Sequence, residues 1–202
     1  MGMTETTVKM GRPRCFCEEQ ALDRAMRVFW EKGYEGASLS DLTEAMGINR
    51  PSLYAAFGDK ESLFRRVMER YAEGPAAYLH LALAEPTARG VLEGLLRGAV
   101  KLLADSRNPR GCLSLQGGMA CGSDAAPVQN ALIEWRKQGE AAIQERLRRA
   151  QKEGDLPRNV DAADLTRYIA TVLNGLGVQA ANGAGKAEMT RVVEMTLRTL
   201  PV

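Results

Sequence analysis

The 202-residue chain has a single histidine, four cysteines and only 5% aromatic residues. With one His, His80, and no Cys-x-x-Cys pair, a structural zinc site lacks a ligand set. No metal and no cofactor is therefore expected. A thiol-dependent enzyme would also need a base beside its cysteine, and no Cys-His-acid set is visible. The "GAGK" at 183–186 lacks the first Gly, the Ser/Thr and the preceding strand of a phosphate loop. A non-enzymatic role is expected. Four cysteines in a chain of this size do not make a disulfide framework, so reduced thiols are expected. No apolar run approaches the roughly 18 residues that span a bilayer, and the N-terminus lacks a signal-peptide core. These absences point to a cytoplasmic protein with no membrane partner. The net charge of +2 is too small to identify a partner, and the first 70 residues carry as many acidic as basic side chains. An argument for nucleic acid must rest on where charges sit.

Long β-branched runs are also missing, while Ala, Leu, Glu and Arg dominate. That composition favours helices almost throughout. Residues 1–17 read as a flexible arm, basic through Lys9, Arg12 and Arg14. A first helix is predicted from about Glu18 to Lys32, with Leu22, Ala25, Met26 and Phe29 at spacings of three and four and Gly33 at its end. Ser38 and Asp41 form a capping-box pattern that opens a second, short helix, closed by Gly47. Asn49 can cap a third, with Pro51 in its first turn and Gly58 after it. Asp59 can cap a fourth, which leads toward the rest of the chain. Further helices are expected at about 87–106, 125–153, 161–182 and 186–199, with Pro75, Pro86 and "SRNPRG" as punctuation.

Two short helices joined by a Gly-containing turn make a helix-turn-helix. The second helix of such a motif lies in the major groove, with its N-terminal residues toward base edges. Arg50, Ser52 and Asn49 become the candidate base readers, since Arg grips guanine in bidentate fashion and Ser serves several bases. Ser38, Ser40 and Thr43 lie near the preceding helix start, where hydroxyls and amides suit phosphate oxygens. Tyr54 and Lys60 would hold the backbone on the flanks, although Tyr54 alone also reads as a half-buried core residue, Lys60 as solvated and Ser38 as a cap only.

The ordered set "ALDRAMRVFWEKGYEGASLSDLTEAMGINRPSLYAAFGDKESLF", residues 21–64, resembles the DNA-binding domain of the TetR/AcrR family of bacterial transcriptional repressors. Two positions depart from the usual pattern: Ala56 stands where many members have a His, and Thr43 where a small Ala is common. The resemblance implies an all-α fold. Residues 18–64 would be a three-helix helix-turn-helix domain, and 65–202 a helical ligand-binding and dimerisation domain. It implies a repressor that binds double-stranded operator DNA as a homodimer and is released by a small-molecule inducer or electrophile. An activator with the same reading head, and a thiol-dependent enzyme using Cys112, remain as alternatives.

Helix 125–153 carries Val128, Leu132, Trp135, Gly139, Ala142, Leu147 and Ala150 along one stripe, and 161–182 is apolar over a wide arc. Such width suggests a second buried surface, and these two helices are the expected dimer contact. The resemblance puts an inducer pocket among the helices between about 75 and 180. Cys112, Met119 and Trp135 are the candidate sensing residues, and "RNPRGCL" looks like a subgroup whose cysteine there senses electrophiles or oxidants. Cys112 follows Arg110-Gly111 and is expected to open a short helix, where dipole and cation favour thiolate. If that helix ran on to Cys121, the two sulfurs would sit about 13 Å apart, too far for a disulfide. Cys112 as a small buried apolar residue is the alternative. Cys15-Phe-Cys17 is a weak metal or redox signal.

Overall fold

A computed structural model describes residues 17–118 and 125–202. Lys9, Arg12, Arg14, Cys15, Met119 and Cys121 fall outside these residues. The described residues form ten helices and no strand. They are α1 (Glu18–Gly36), α2 (Leu39–Met46), α3 (Arg50–Phe57), α4 (Lys60–Glu73), α5 (Tyr78–Leu83), α6 (Ala88–Leu103), α7 (Leu113–Gln116), α8 (Ala126–Glu153), α9 (Ala162–Ala181) and α10 (Lys186–Thr199).

The local signals in the first part act as their chemistry dictates. At Gly33 the backbone of α1 leaves helical geometry with φ 71, and one further turn follows it. Ser38 and Asp41 exchange both bonds of a capping box, each at 3.0 Å. Asn49 accepts the Ser52 amide at 2.9 Å and Asp59 the Ser62 amide at 2.7 Å, so α3 and α4 begin on side-chain caps. Leu42, Met46, Leu53 and Phe57 are buried in one apolar cluster with residues of α1.

Aromatic rings lock α4 onto α1. Phe29 meets Phe64 edge-on at 5.0 Å, and Trp30 meets Tyr71 at 5.0 Å and 89°. Such pairs add about 0.5–1.5 kcal/mol each beyond their burial. The ion pairs Arg66–Glu18 and Arg70–Asp23 join the same helices, but both are well exposed and contribute little. This apolar cluster does not stop at α4. It takes in Leu102, Leu113, Val128 and Leu132 from the later helices.

A second cluster is built from α5, α6, α8, α9 and α10. The six-residue α5 between Pro75 and Pro86 was not anticipated. It packs into a groove on α6 made by Gly94 and Gly98, one helical turn apart. A Cβ at Gly94 would lie 2.9 Å from that of Ala82, and one at Gly98 would strike the Tyr78 ring. On α8 the inward stripe is Val128, Leu132, Ile143, Leu147 and Ala150. Arg146 is buried with them, and its Nη2 donates to the carbonyls of Glu85 and Pro86 at 2.8 and 2.9 Å, which pins the α5–α6 turn to α8.

Of the stripe expected along α8, Gly139 and Ala142 are exposed, and both border a cavity. After Cys112 the described residues are helical over Leu113–Gln116, and Cys121, to which the separation was reckoned, lies outside the described residues.

Candidate nucleic-acid interface and ligand cavity

The turn at Gly47, φ 70, sets α3 across the end of α2. Ser38, Ser40, Asn49, Arg50 and Tyr54 are exposed, and Thr43, Ser52 and Lys60 are half-buried. Tyr54 is 50% exposed. Arg50 Nη2 donates to Ser40 Oγ at 3.0 Å and so joins the starts of α2 and α3.

Several of these side chains are already engaged. The Ser38 hydroxyl donates to Asp41 Oδ2 at 2.7 Å, and Thr43 Oγ1 donates to Leu39 O at 2.9 Å within its own helix. Asn49 is occupied by its cap. Lys60 Nζ lies over the Tyr34 ring at 4.5 Å, a cation–π contact that orients the ammonium. Lys32 was missed by sequence reading. Its ammonium bonds Asp41 at 2.6 Å and, with Ser38, pushes the Asp41 carboxyl down to about 2. An isolated Lys at a helix end gives no sequence signal of that pairing.

The cavity lies between α4, α5, α6, α7, α8 and α9 and has a volume of about 280 Å³. Its lining includes Tyr71, Tyr78, Cys112, Ser114 and Trp135. Two of the sensing candidates, Cys112 and Trp135, are thus brought together, and His80 lines the same cavity. Cys112 is half-buried, with Sγ 3.4 Å from Tyr71 Oη and 3.1 Å from Ser114 Oγ. Burial raises Tyr71 well above the ordinary phenol value, and it raises Tyr78 as well. Helix α7 begins at Cys112 as expected, but one turn carries little of the dipole invoked from sequence. The groups that face the sulfur are hydroxyls. Tyr71 reads in the sequence as one more apolar position of α4, so nothing there could have marked it.

Helix α7 is also tied to α1 at both ends. Trp30 Nε1 donates to Gly111 O and the Tyr34 amide to Gly117 O, each at 3.1 Å. The wall that carries Cys112 is therefore fixed directly to the helix that supports α2 and α3. Among the described residues no group of His, Cys, Asp and Glu could hold a metal, and no helix is long and apolar enough to cross a membrane.

An all-helical fold among the described residues, with this turn exposed at one end, has the form of a helix-turn-helix DNA-binding regulator. Residues 21–67 match the family of bacterial regulatory proteins, tetR family, and residues 87–195 match the tetracyclin repressor-like C-terminal domain. The chain belongs to the TetR family of transcriptional regulators. It is 32% identical to the HTH-type transcriptional repressor ComR of Escherichia coli, over 95% of this chain and 92% of ComR. It is 31% identical to the repressor BdcR of the same organism, over 86% of this chain and 83% of BdcR. Among solved structures it is similar to the TetR family regulator CifR, a cysteine mutant complexed with 26-base-pair operator DNA. The two share 42% identity and a TM-score of 0.89, over 94% of this chain and 100% of that one.

Proposed function

We propose that the protein is a transcriptional repressor that binds a near-palindromic operator as a homodimer and leaves it when the cavity at Cys112 is occupied or modified. The observation that carries this reading is the exposed set Ser40, Arg50 and Tyr54 around the Gly47 turn. Arg50 and Ser52 read base edges, with Asn49 setting the start of the reading helix by its cap. Tyr54, Ser40, Thr43 and Lys60 hold phosphates. Ser38 acts through the helix start that it caps, since its hydroxyl is given to Asp41. The similarity to ComR and BdcR, both repressors, and to an operator-bound CifR supports the same reading.

The partner copy seats on α9 and α10 rather than on α8 and α9. Tyr168 and Val178 on α9 and Val192 and Met195 on α10 are 42–63% exposed. Val192 lines a groove between the two helices with Val172, Gly175 and Leu176, and a Cβ at Gly175 would meet nothing. The outward face of α8 is instead largely charged or polar, through Glu134, Lys137, Gln138, Glu145, Arg148 and Arg149. A contiguous apolar face of this kind on a monomer marks an interaction site. Two-fold pairing would set the reading helices about 34–36 Å apart, one turn of DNA.

Release follows if the ligand favours a state in which the reading heads no longer fit that spacing. The test is a fluorescence-anisotropy titration of a duplex selected by the protein, before and after treatment with a thiol-reactive quinone. Treatment should weaken binding at least tenfold in the native chain and leave Cys112→Ser bound. A Cys112→Ser protein that releases like the native one would sink the thiol part of the proposal.

A further inference from the structure

We propose that Tyr71 is the proton-donating residue that makes Cys112 selective for conjugated carbonyl compounds. The inference rests on the reading of Cys112 as the sensing thiol. Tyr71 is 1% exposed, and its hydroxyl reaches the cavity beside Sγ at 3.4 Å. Burial raises its ionisation far above neutral pH, so it is present as O–H, a donor. Ser114 Oγ stands on the sulfur at 3.1 Å. Thiol attack on an alkyl halide develops no charge on oxygen and gains nothing from such donors. Attack on a conjugated carbonyl does, because the oxygen becomes an enolate. The rings of Tyr71, Tyr78 and Trp135 also border the cavity and suit a flat, conjugated occupant.

The step balances without an oxidant. The Cys112 proton leaves to solvent, and Sγ attacks the β-carbon and forms the C–S bond. The C=C π pair moves toward the carbonyl, whose oxygen takes the hydrogen bond and then the proton of Tyr71. The enol returns to the ketone as the α-carbon gains a proton from solvent and the enol O–H proton goes back to Tyr71. The sum is addition of S–H across C=C.

The experiment compares methyl vinyl ketone with iodoacetamide on the full-length protein and reads the rate at each cysteine by peptide-resolved mass spectrometry. Exposed Cys17 serves as the internal control. In the native chain the ketone-to-iodoacetamide rate ratio should be higher at Cys112 than at Cys17. Tyr71→Phe should slow ketone addition at Cys112 by about 10²-fold, the lower end of general-acid effects, and leave iodoacetamide alkylation there within about threefold. Tyr78→Phe should change neither. Equal slowing of both reagents, slowing of neither, or an unraised ratio in the native chain would overturn the proposal. The native-chain ratio needs no variant and so stands even if Tyr71→Phe fails to fold. If Cys112 takes neither reagent, the sensing reading falls with it. If the adduct forms in a Tyr71-dependent way but the operator stays bound, only the release reading fails.

Discussion

The Arg50 guanidinium donates to Ser40 Oγ at 3.0 Å, which ties the first turn of the reading helix to the first turn of the helix before it. Arg50 is exposed, and its guanidinium has further donors beyond the one given to Ser40. Replacing Arg50 with Ala should weaken specific binding by about 1–3 kcal/mol and relax selectivity at one base pair in each half-site. Ser40→Ala should cost less, since it removes an orienting contact and one phosphate bond. Anisotropy titrations on matched and single-mismatch duplexes check both.

Asp41 gives the reading head a dependence on acid. Its carboxyl is held at about 2, chiefly by Lys32 and then by Ser38. The folded value is below the ordinary value of 3.8. The contribution to stability is therefore complete above about pH 4 and is lost as pH falls through the folded value. The gap in melting temperature between the native chain and Asp41→Asn should be constant from pH 7 to 5 and narrow below pH 4. A gap independent of pH down to 2.5 would mean that Asp41 acts by shape alone.

Close packing of α5 on α6 depends on two glycines. A Cβ at Gly98 would strike the Tyr78 ring, so Gly98→Ala should destabilise the chain by about 1–3 kcal/mol through overpacking. Gly139 is the contrast: a Cβ there meets nothing. Gly139→Ala in the middle of α8 should stabilise by up to about 1 kcal/mol through helix propensity. Urea unfolding of the two variants should shift in opposite directions.

The pairing face proposed on α9 and α10 predicts where a charge does harm. Met195 is 63% exposed. Met195→Glu should raise the dimer dissociation constant by at least about tenfold, because a carboxylate would be buried unpaired. Ile133→Glu on α8 should leave it unchanged. Sedimentation at several protein concentrations separates the two.

The reading head was legible because its signals are local. Ser38 with Asp41, Gly47, Asn49 and Asp59 each satisfy backbone groups within a few residues, and the structure uses every one of them as a cap or turn. What sequence could not give is long-range pairing. Lys32 finds Asp41, Trp30 finds Gly111, and Tyr71 finds Cys112 only after the chain has folded. The stripe assigned to α8 mixed core positions with exposed ones. Leu147 and Ala150 face the core, whereas Gly139 and Ala142 edge the cavity, and periodicity alone does not distinguish a core from a cavity rim. Helix α5 was missed because six residues between prolines are too few to show a period.

The most direct measurement is selection of bound sequences from random duplex DNA, run in parallel on the native chain and on Arg50→Ala. The native chain should enrich a two-fold symmetric sequence with half-site centres about 10 base pairs apart, and Arg50→Ala should lose or degenerate the base it reads in each half. Enrichment of no sequence by the native chain, or of the same sequence undiminished by Arg50→Ala, would contradict the assignment of α3 as the reading helix.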